Sequence, residues 1–455
     1  MNKRWYLACL GVLVLAALFR QPLILIVGVL ALLVLLLIDI WAKYCLAALR
    51  FERSLSQQRV NFGEEITLSA TVENAKILPL PWLEIEDDVP RALQVRGRQL
   101  RVNPTTNRAL LESLFSTRWY ERITRRYTLV CATRGVHMFG PTTMRSGDLF
   151  GFTEKNTQLE NRQYLLVYPL IVPLSSFNLP ARHPFGERRA PRRLLEDPTR
   201  VIGVRDYVYG DDMRRVHWKA TARALKLQSK IYEPTTTYTL ALFLNVGTQL
   251  NTYFHPHPDL LELAICACAS VADWALREGY AVGLYTNGFP HLPELNTYQA
   301  AQQEQGVSGS GAGTPKTGAL KQRGIRVLPA SGGEQFKRIM EALARVQSFF
   351  NDPIEEVVQR ERTRLPAGAT IAVITSTVSD PLLDSLSRLR QSGHAVALLL
   401  VSDQPMARRL AGIPVYHLGG SDTWRALTAC YNQEESEQTP KEAERKEQPL
   451  AAFQL

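Results

Sequence analysis

Residues Tyr238 to Val246, Y-T-L-A-L-F-L-N-V, decide how the larger half of this chain folds. The run is apolar almost without interruption, as in a strand covered on both faces, and such strands belong to parallel sheets layered between helices. Downstream, Pro258 to Glu278 reads as a helix, with Leu260, Leu261, Ala264, Val271 and Trp274 among its apolar residues and Gly279 as its stop. Ala281 to Tyr285 is a second strand. Residues 299–323 form a polar, Gly-rich surface insertion. Beyond it come strand Ile325 to Leu328, helix 333–348, strand Thr370 to Thr375, helix 381–391 and strand Ala395 to Val401. A last β/α unit lies around Val415 and Trp424. Strands alternating with helices imply a doubly wound α/β domain over residues 235–432. The charged, Gln/Glu-rich tail at 433–455 has a disordered composition.

Upstream the period changes. In Glu65 to Val72 the apolar residues fall at 66, 68, 70 and 72, the alternation of a half-buried strand. Trp82 to Glu86 and Arg126 to Thr133 read the same way, with turn residues between. Short strands without a helical pattern predict an immunoglobulin-like β-sandwich over residues 51–170. It holds no catalytic residue types at a useful spacing, so a spacer or interaction module is expected.

Two apolar runs precede it. Trp5 to Phe19 has fifteen residues and Leu23 to Ile38 has sixteen without a charge, separated by Arg20, Gln21 and Pro22. Interfacial residues extend each to the roughly 20 that a spanning helix needs. Trp5, Tyr6, Trp41 and Tyr44 stand where aromatic belts form. A transmembrane helical hairpin over residues 1–50 follows. No small-residue cleavage site precedes the second run, which argues against a signal peptide. Lys3, Arg4, Lys43, Arg50 and Arg53 flank the outer ends and only Arg20 lies in the turn. The positive-inside rule then predicts a two-helix protein of the cytoplasmic (inner) membrane with its soluble body in the cytoplasm.

Composition agrees with a folded chain of several domains: 455 residues, 45% hydrophobic and 21% charged. Six scattered cysteines make no disulfide framework. Of the net charge of +10, +7 lies in residues 182–230, where thirteen Lys/Arg face six Asp/Glu. Such a segment can attract nucleic acid, anionic lipid or an acidic protein face.

Several chemical signals can be weighed. Gly313 to Thr317 superficially suggests a phosphate loop, but the two required glycine positions hold Pro315 and Ser310. Cys266 and Cys268 project from a helix about 200° apart and cannot share a metal, so they are expected in the core. His255 and His257 lack a carboxylate or cysteine at ligand spacing and read as loop histidines. No nucleophile elbow or zinc-protease helix is present.

The densest stretch is Arg205 to Arg223, R-D-Y-V-Y-G-D-D-M-R-R-V-H-W-K-A-T-A-R. Tyr209 to Asp212 is a turn, and Asp212 is a plausible N-cap for a short helix through Leu225. Foremost is a structural or docking network, with Arg–Asp pairs and Trp218 fixing the segment to the α/β sheet. Next is a hydrolase-like site of Asp211 and His217. Last is a nucleic-acid patch, disfavoured because Asp206, Asp211 and Asp212 would pair the arginines internally.

Two resemblances add expectations. The strand 238–246 and the loop after it resemble the start of a von Willebrand factor type A domain, whose metal-ion-dependent adhesion site uses a D-x-S-x-S pattern to hold Mg²⁺. Here those positions read Asn245, Gly247 and Gln249, so the resemblance implies the fold without a metal or other cofactor. Arg205, Tyr207, Gly210, Asp211, Arg214, His217, Trp218, Ala220, Ala222 and Arg223 stand in a pattern that closely resembles the signature of the bacterial "domain of unknown function 58" family. Arg134 to Pro141 with Asp148 to Gly151, and Val167 to Pro169, resemble its other landmarks. Thr221 departs from the usual serine, and Gly147 to Leu149 departs from the common Asp-Pro. The resemblance implies a membrane-bound, non-enzymatic adaptor partnered by a MoxR-type AAA+ ATPase and other envelope proteins, acting in complex assembly or envelope maintenance. The alternatives are the Asp211/His217 enzyme and a Mg²⁺-dependent, ligand-binding type A domain.

Overall fold

A helix over Pro22–Tyr44 is the first element described over its whole length. In the computed structural model the described residues run from 11 to 431. They omit 12, 15–17, 19–21, 99, 104–107, 148–153, 178, 180–194, 236–237, 249–256, 293–323, 348–351, 367 and 405–406. The first apolar run, the Gly-rich insertion and the charged tail therefore lie largely or wholly outside the described residues. Pro22 can open a helix because its missing N–H falls among the unbonded donors of the first turn. Within the helix, Pro22–Trp41 is long and apolar enough to cross a membrane, about 30 Å at 1.5 Å per residue. Its large apolar side chains, Leu23 to Leu37, stand mostly in the open.

Two compact units divide the chain, the first reaching Tyr168 and the second beginning at Pro169. In the first, the helix runs directly into a β-sandwich. One sheet is built on Leu49–Leu55, Glu65–Asn74 and Arg122–Val130. The other is built on Leu80–Val89, Ala109–Thr117, Thr142–Gly147 and Glu154–Leu159, all antiparallel. Glu65–Asn74 alternates as expected, placing Ile66, Leu68 and Ala70 in a core with Val89, Leu111, Tyr127 and Leu129. A second cluster joins Cys45 to Val72, Leu83, Ile85, Phe115 and Met144, with Trp41 and Leu46 packed against it. The helix foot is thus part of the sandwich core. Lys76 completes the joint by donating Nζ hydrogen bonds to the carbonyls of Tyr44, Cys45 and Ala47, at the helix end where carbonyls lack partners. A buried pair, Arg53 with Asp87, links the two sheets, and Thr142 donates to the same carboxylate at 2.8 Å.

In the second unit a seven-stranded sheet carries the fold. Its spatial order is Arg326–Ala330, Ala281–Thr286, Thr239–Leu244, Thr370–Thr375, Ala395–Val401, Ile413–Gly419 and Arg409–Leu410. The five inner strands are parallel and the two outer ones antiparallel. Thr239–Leu244 lies inside the sheet, third of the seven strands, with every residue after Thr239 buried. On one face Ala241 and Phe243 pack with Ile354, Val358, Leu382 and Leu386 from the helices Ile354–Glu361 and Asp380–Gln391. The other face carries Pro258–Arg277, where Cys266 and Cys268 are buried and burial pushes the Cys266 thiol up to about 12. This is the doubly wound α/β architecture the alternation predicts.

Some boundaries differ. The edge strand is Arg326–Ala330 and its helix ends at Arg345. Helix Ile354–Glu361 was not expected, being only eight residues long. Residues 171–234 hold an antiparallel ribbon, Leu195–Asp206 against Gln228–Thr235, that the sequence reading also lacked.

Candidate functional site

The signature stretch folds as a lobe at the tip of this ribbon. Asp206 faces Gln228 and Arg205 faces Ser229 across the strands. A turn follows, with the Asp211 N–H on the Val208 carbonyl at 3.0 Å. Asp211 holds it shut: one carboxylate oxygen accepts from Arg205 Nη2 at 2.7 Å and the other from the Val208 N–H at 3.1 Å. Those two bonds, the arginine's first, hold the carboxyl below its ordinary range. The Tyr207 hydroxyl donates to the Asp211 carbonyl at 3.0 Å. Gly210 takes a φ of +109°, a conformation that favours glycine.

Beyond the turn the expected helix from Asp212 to Leu225 is broken in two. Asp212 caps only a single turn of 3₁₀ helix, Met213–Arg215. Val216 then bridges Ser229, and the His217 N–H donates to the Gln228 carbonyl at 2.8 Å, pulling the backbone into the ribbon. A new helix, Trp218–Ala224, starts with His217 Nδ1 accepting the Ala220 N–H at 3.0 Å. It ends at Leu225 in a left-handed conformation, φ +52°. The Gln228 N–H returns to the Thr221 hydroxyl at 3.0 Å.

Asp211 and His217 are therefore committed to backbone geometry. Between Tyr207 and Leu227 only Val216 is buried. Trp218 does not fasten the segment to the sheet as expected; it stands 66% exposed. Tyr209 and Leu225 are 101% and 91% exposed, with Val208, Met213 and Leu227 also open. From Met213 to Lys230 the sequence holds six Lys/Arg and no Asp or Glu. Arg214, Lys219, Arg223 and Lys226 are all exposed. The lobe is a cationic surface studded with apolar tips.

The carboxyl edge of the sheet is the other place where this architecture binds ligands. Here three strand ends are tied by neutral side chains. Asn245 donates Nδ2 to the Thr375 hydroxyl at 3.0 Å, while its Oδ1 accepts from the Gly247 N–H at 3.1 Å and Asn287 Nδ2 at 2.9 Å. Asn287 also accepts from the Val246 N–H at 3.0 Å and donates to the Asp352 carbonyl at 2.9 Å. Both lone pairs of the Asn245 oxygen are thereby occupied. Gln249 lies outside the described residues, as does His255. No group of three or more His, Cys, Asp or Glu that could hold a metal occurs among the described residues. The Ser376 hydroxyl is buried without a hydrogen-bond partner among them. Further along the edge, Asp403 accepts from the Ser421 hydroxyl and N–H, both at 2.6 Å, which holds its carboxyl low. Asn287 and Asp403 escaped the sequence reading; the Asn287-Gly288 pair at a strand end was the available signal.

Comparison with known proteins adds kinship. A Bacillus subtilis (strain 168) relative described as "Uncharacterized protein YeaD" is 25% identical over 249 residues, covering 54% of this chain. The match takes in 58% of that relative's own length. Among solved structures, a CARDB domain from Pyrococcus furiosus is 11% identical over 26% of this chain and 91% of its own, with a TM-score of 0.18. A cohesin module from Clostridium perfringens is 9% identical over 26% and 94%, with a TM-score of 0.19. At those scores neither likeness carries an argument. The sequence match is more pointed: residues 203–295, which contain the lobe, the strand Thr239–Leu244 and the first long helix of the sheet, match the family described as "Protein of unknown function DUF58".

Proposed function

We propose that this chain is a membrane-anchored adaptor that faces the cytoplasm and works through contact surfaces, not through a reaction centre. The observation that carries this reading is the state of the signature residues. Asp211 and His217, the groups best suited to acid–base chemistry, bond to the turn and the helix start, and what the lobe offers to solvent is tryptophan, leucine and cations. The apolar helix Pro22–Tyr44, continuous with the sandwich core, supplies the anchor. The sheet reads as a von Willebrand factor type A-like domain, supported by the placement of its first strand inside the parallel sheet, with neutral Asn245 at the first of that fold's metal-ligand positions. The family resemblance supplies the partner, a MoxR-type AAA+ ATPase, and the process, complex assembly or envelope maintenance.

Two measurements test this. Full-length chain purified in mild detergent is expected to bring down an AAA+ ATPase; its repeated absence overturns the partnership. The double variant Asp211→Asn, His217→Ala, if folded, is expected to retain cellular function. Complete loss of function with the fold and the ATPase contact intact would return the chain to the enzyme class.

A further inference from the structure

We infer that the signature lobe is a peripheral membrane-contact surface that takes anionic phospholipid, a second attachment besides the apolar helix. The inference rests on the anchored reading above. It assigns the partner of the lobe and leaves any protein partner to other surfaces.

The lobe's composition and geometry carry the argument. Within the helix Trp218–Ala224, Trp218 and Ala222 share one stripe, and Lys219 and Arg223 share the next, 100° away. Leu225 and Lys226 continue the two kinds of residue past the cap. Trp218, Met213 and Leu225 each stand beside a cation in sequence: Lys219, Arg214 and Lys226. A surface that pairs tryptophan and leucine with lysine and arginine suits the headgroup boundary, where rings and alkyl stems enter the apolar edge and charges remain with phosphates.

Other occupants fit less well. A second copy in a two-fold contact would set the lobe's five cations, Arg214, Arg215, Lys219, Arg223 and Lys226, against five more, with only Asp211, already held by Arg205, and Asp212 to offset them. Protein interfaces are depleted in lysine, whereas here Lys219 and Lys226 stand directly beside Trp218 and Leu225. An anionic lipid surface asks for that interruption, each basic residue near it contributing about fivefold. The anchor raises the local concentration of lipid surface, so weak contacts suffice.

The test uses the full chain in nanodiscs. Leu225→Cys is labelled with an environment-sensitive dye in a background of Cys9→Ala and Cys430→Ser, Cys430 being an exposed free thiol and Cys45, Cys131, Cys266 and Cys268 being buried. In discs containing phosphatidylglycerol the dye is expected to shift to the blue and resist an aqueous quencher, and 1 M salt is expected to reverse this. Pure phosphatidylcholine discs are expected to leave it exposed. Changing Lys219, Arg223 and Lys226 to Gln is expected to lower the ratio of protected to open lobe roughly 100-fold or more. These side chains are exposed, so the fold survives, which amide exchange at the Ala220 N–H checks. Equal exposure in both discs overturns the inference. So does equal protection in both, or protection that appears only when an AAA+ ATPase is added. The last outcome leaves the adaptor reading standing, whereas lipid protection without any ATPase partner removes the adaptor reading alone.

Discussion

Two regions of this protein hold large apolar side chains in the open, and they do so in opposite ways. In the helix Pro22–Tyr44 the exposure is continuous, with no charge between Leu23 and Ile38. Its foot is locked by Trp41, Cys45 and Leu46 in the sandwich core and by Lys76 on three carbonyls. In the lobe between Tyr207 and Leu227 the exposed apolar residues are interleaved with cations and held by short-range hydrogen bonds around one buried valine. Continuous exposure suits immersion in hydrocarbon; interleaved exposure suits a boundary. A charge placed in the first region should be ruinous, and in the second almost free.

The largest effect is expected from breaking the first half of that contrast. Leu30→Arg with Val34→Arg puts two charges mid-helix at about 3 kcal/mol each. The chain is expected to leave the carbonate-resistant membrane fraction, whereas unchanged fractionation would deny the helix its role as anchor. Next, Lys76→Ala removes a cation from the helix end and is expected to cost about 2 kcal/mol, seen as a lower melting temperature of the full chain in detergent. Smaller again is His217→Ala, which deletes the side-chain cap of Trp218–Ala224. A loss of about 1 kcal/mol is expected, read as faster amide exchange over 219–224 with the sandwich unaffected.

The smallest effect belongs to pH. The Asp211 carboxyl sits below its ordinary value of 3.8 because the folded turn favours its charged form. Its contribution is therefore complete above that value and is lost as pH falls through the depressed native one. The Val208 N–H resonance should report that loss under acid, and Asp211→Asn should abolish the transition.

The parts legible in the sequence were those with a strong period. Thr239–Leu244, Thr370–Thr375 and Ala395–Val401 stood out because strands buried on both faces are apolar throughout. Glu65–Asn74 stood out because one face of it is wet. The ribbon Leu195–Asp206 and Gln228–Thr235 did not, since its residues mix charges with valines and show neither period cleanly. The lobe helix is shorter than its cap and composition predict. Asp212 is a sound cap, but the pairing of Val216 and His217 with the return strand outweighs continued helix. Such long-range competition leaves no local mark.

The sequence by itself determined where the chain is apolar without relief, where it alternates, and where cations gather without acids, because those patterns fix which surfaces must leave water. Only the tertiary structure decided what the polar residues do. Asn245 and Thr375 lie 130 residues apart, and Asn245 and Asn287 lie 42 apart. Parallel pairing brings those strand ends together and turns them into a closed hydrogen-bonded knot. The same holds for Asp211 and His217, whose chemistry was open until the ribbon bent them onto their own backbone and left Trp218 facing outward.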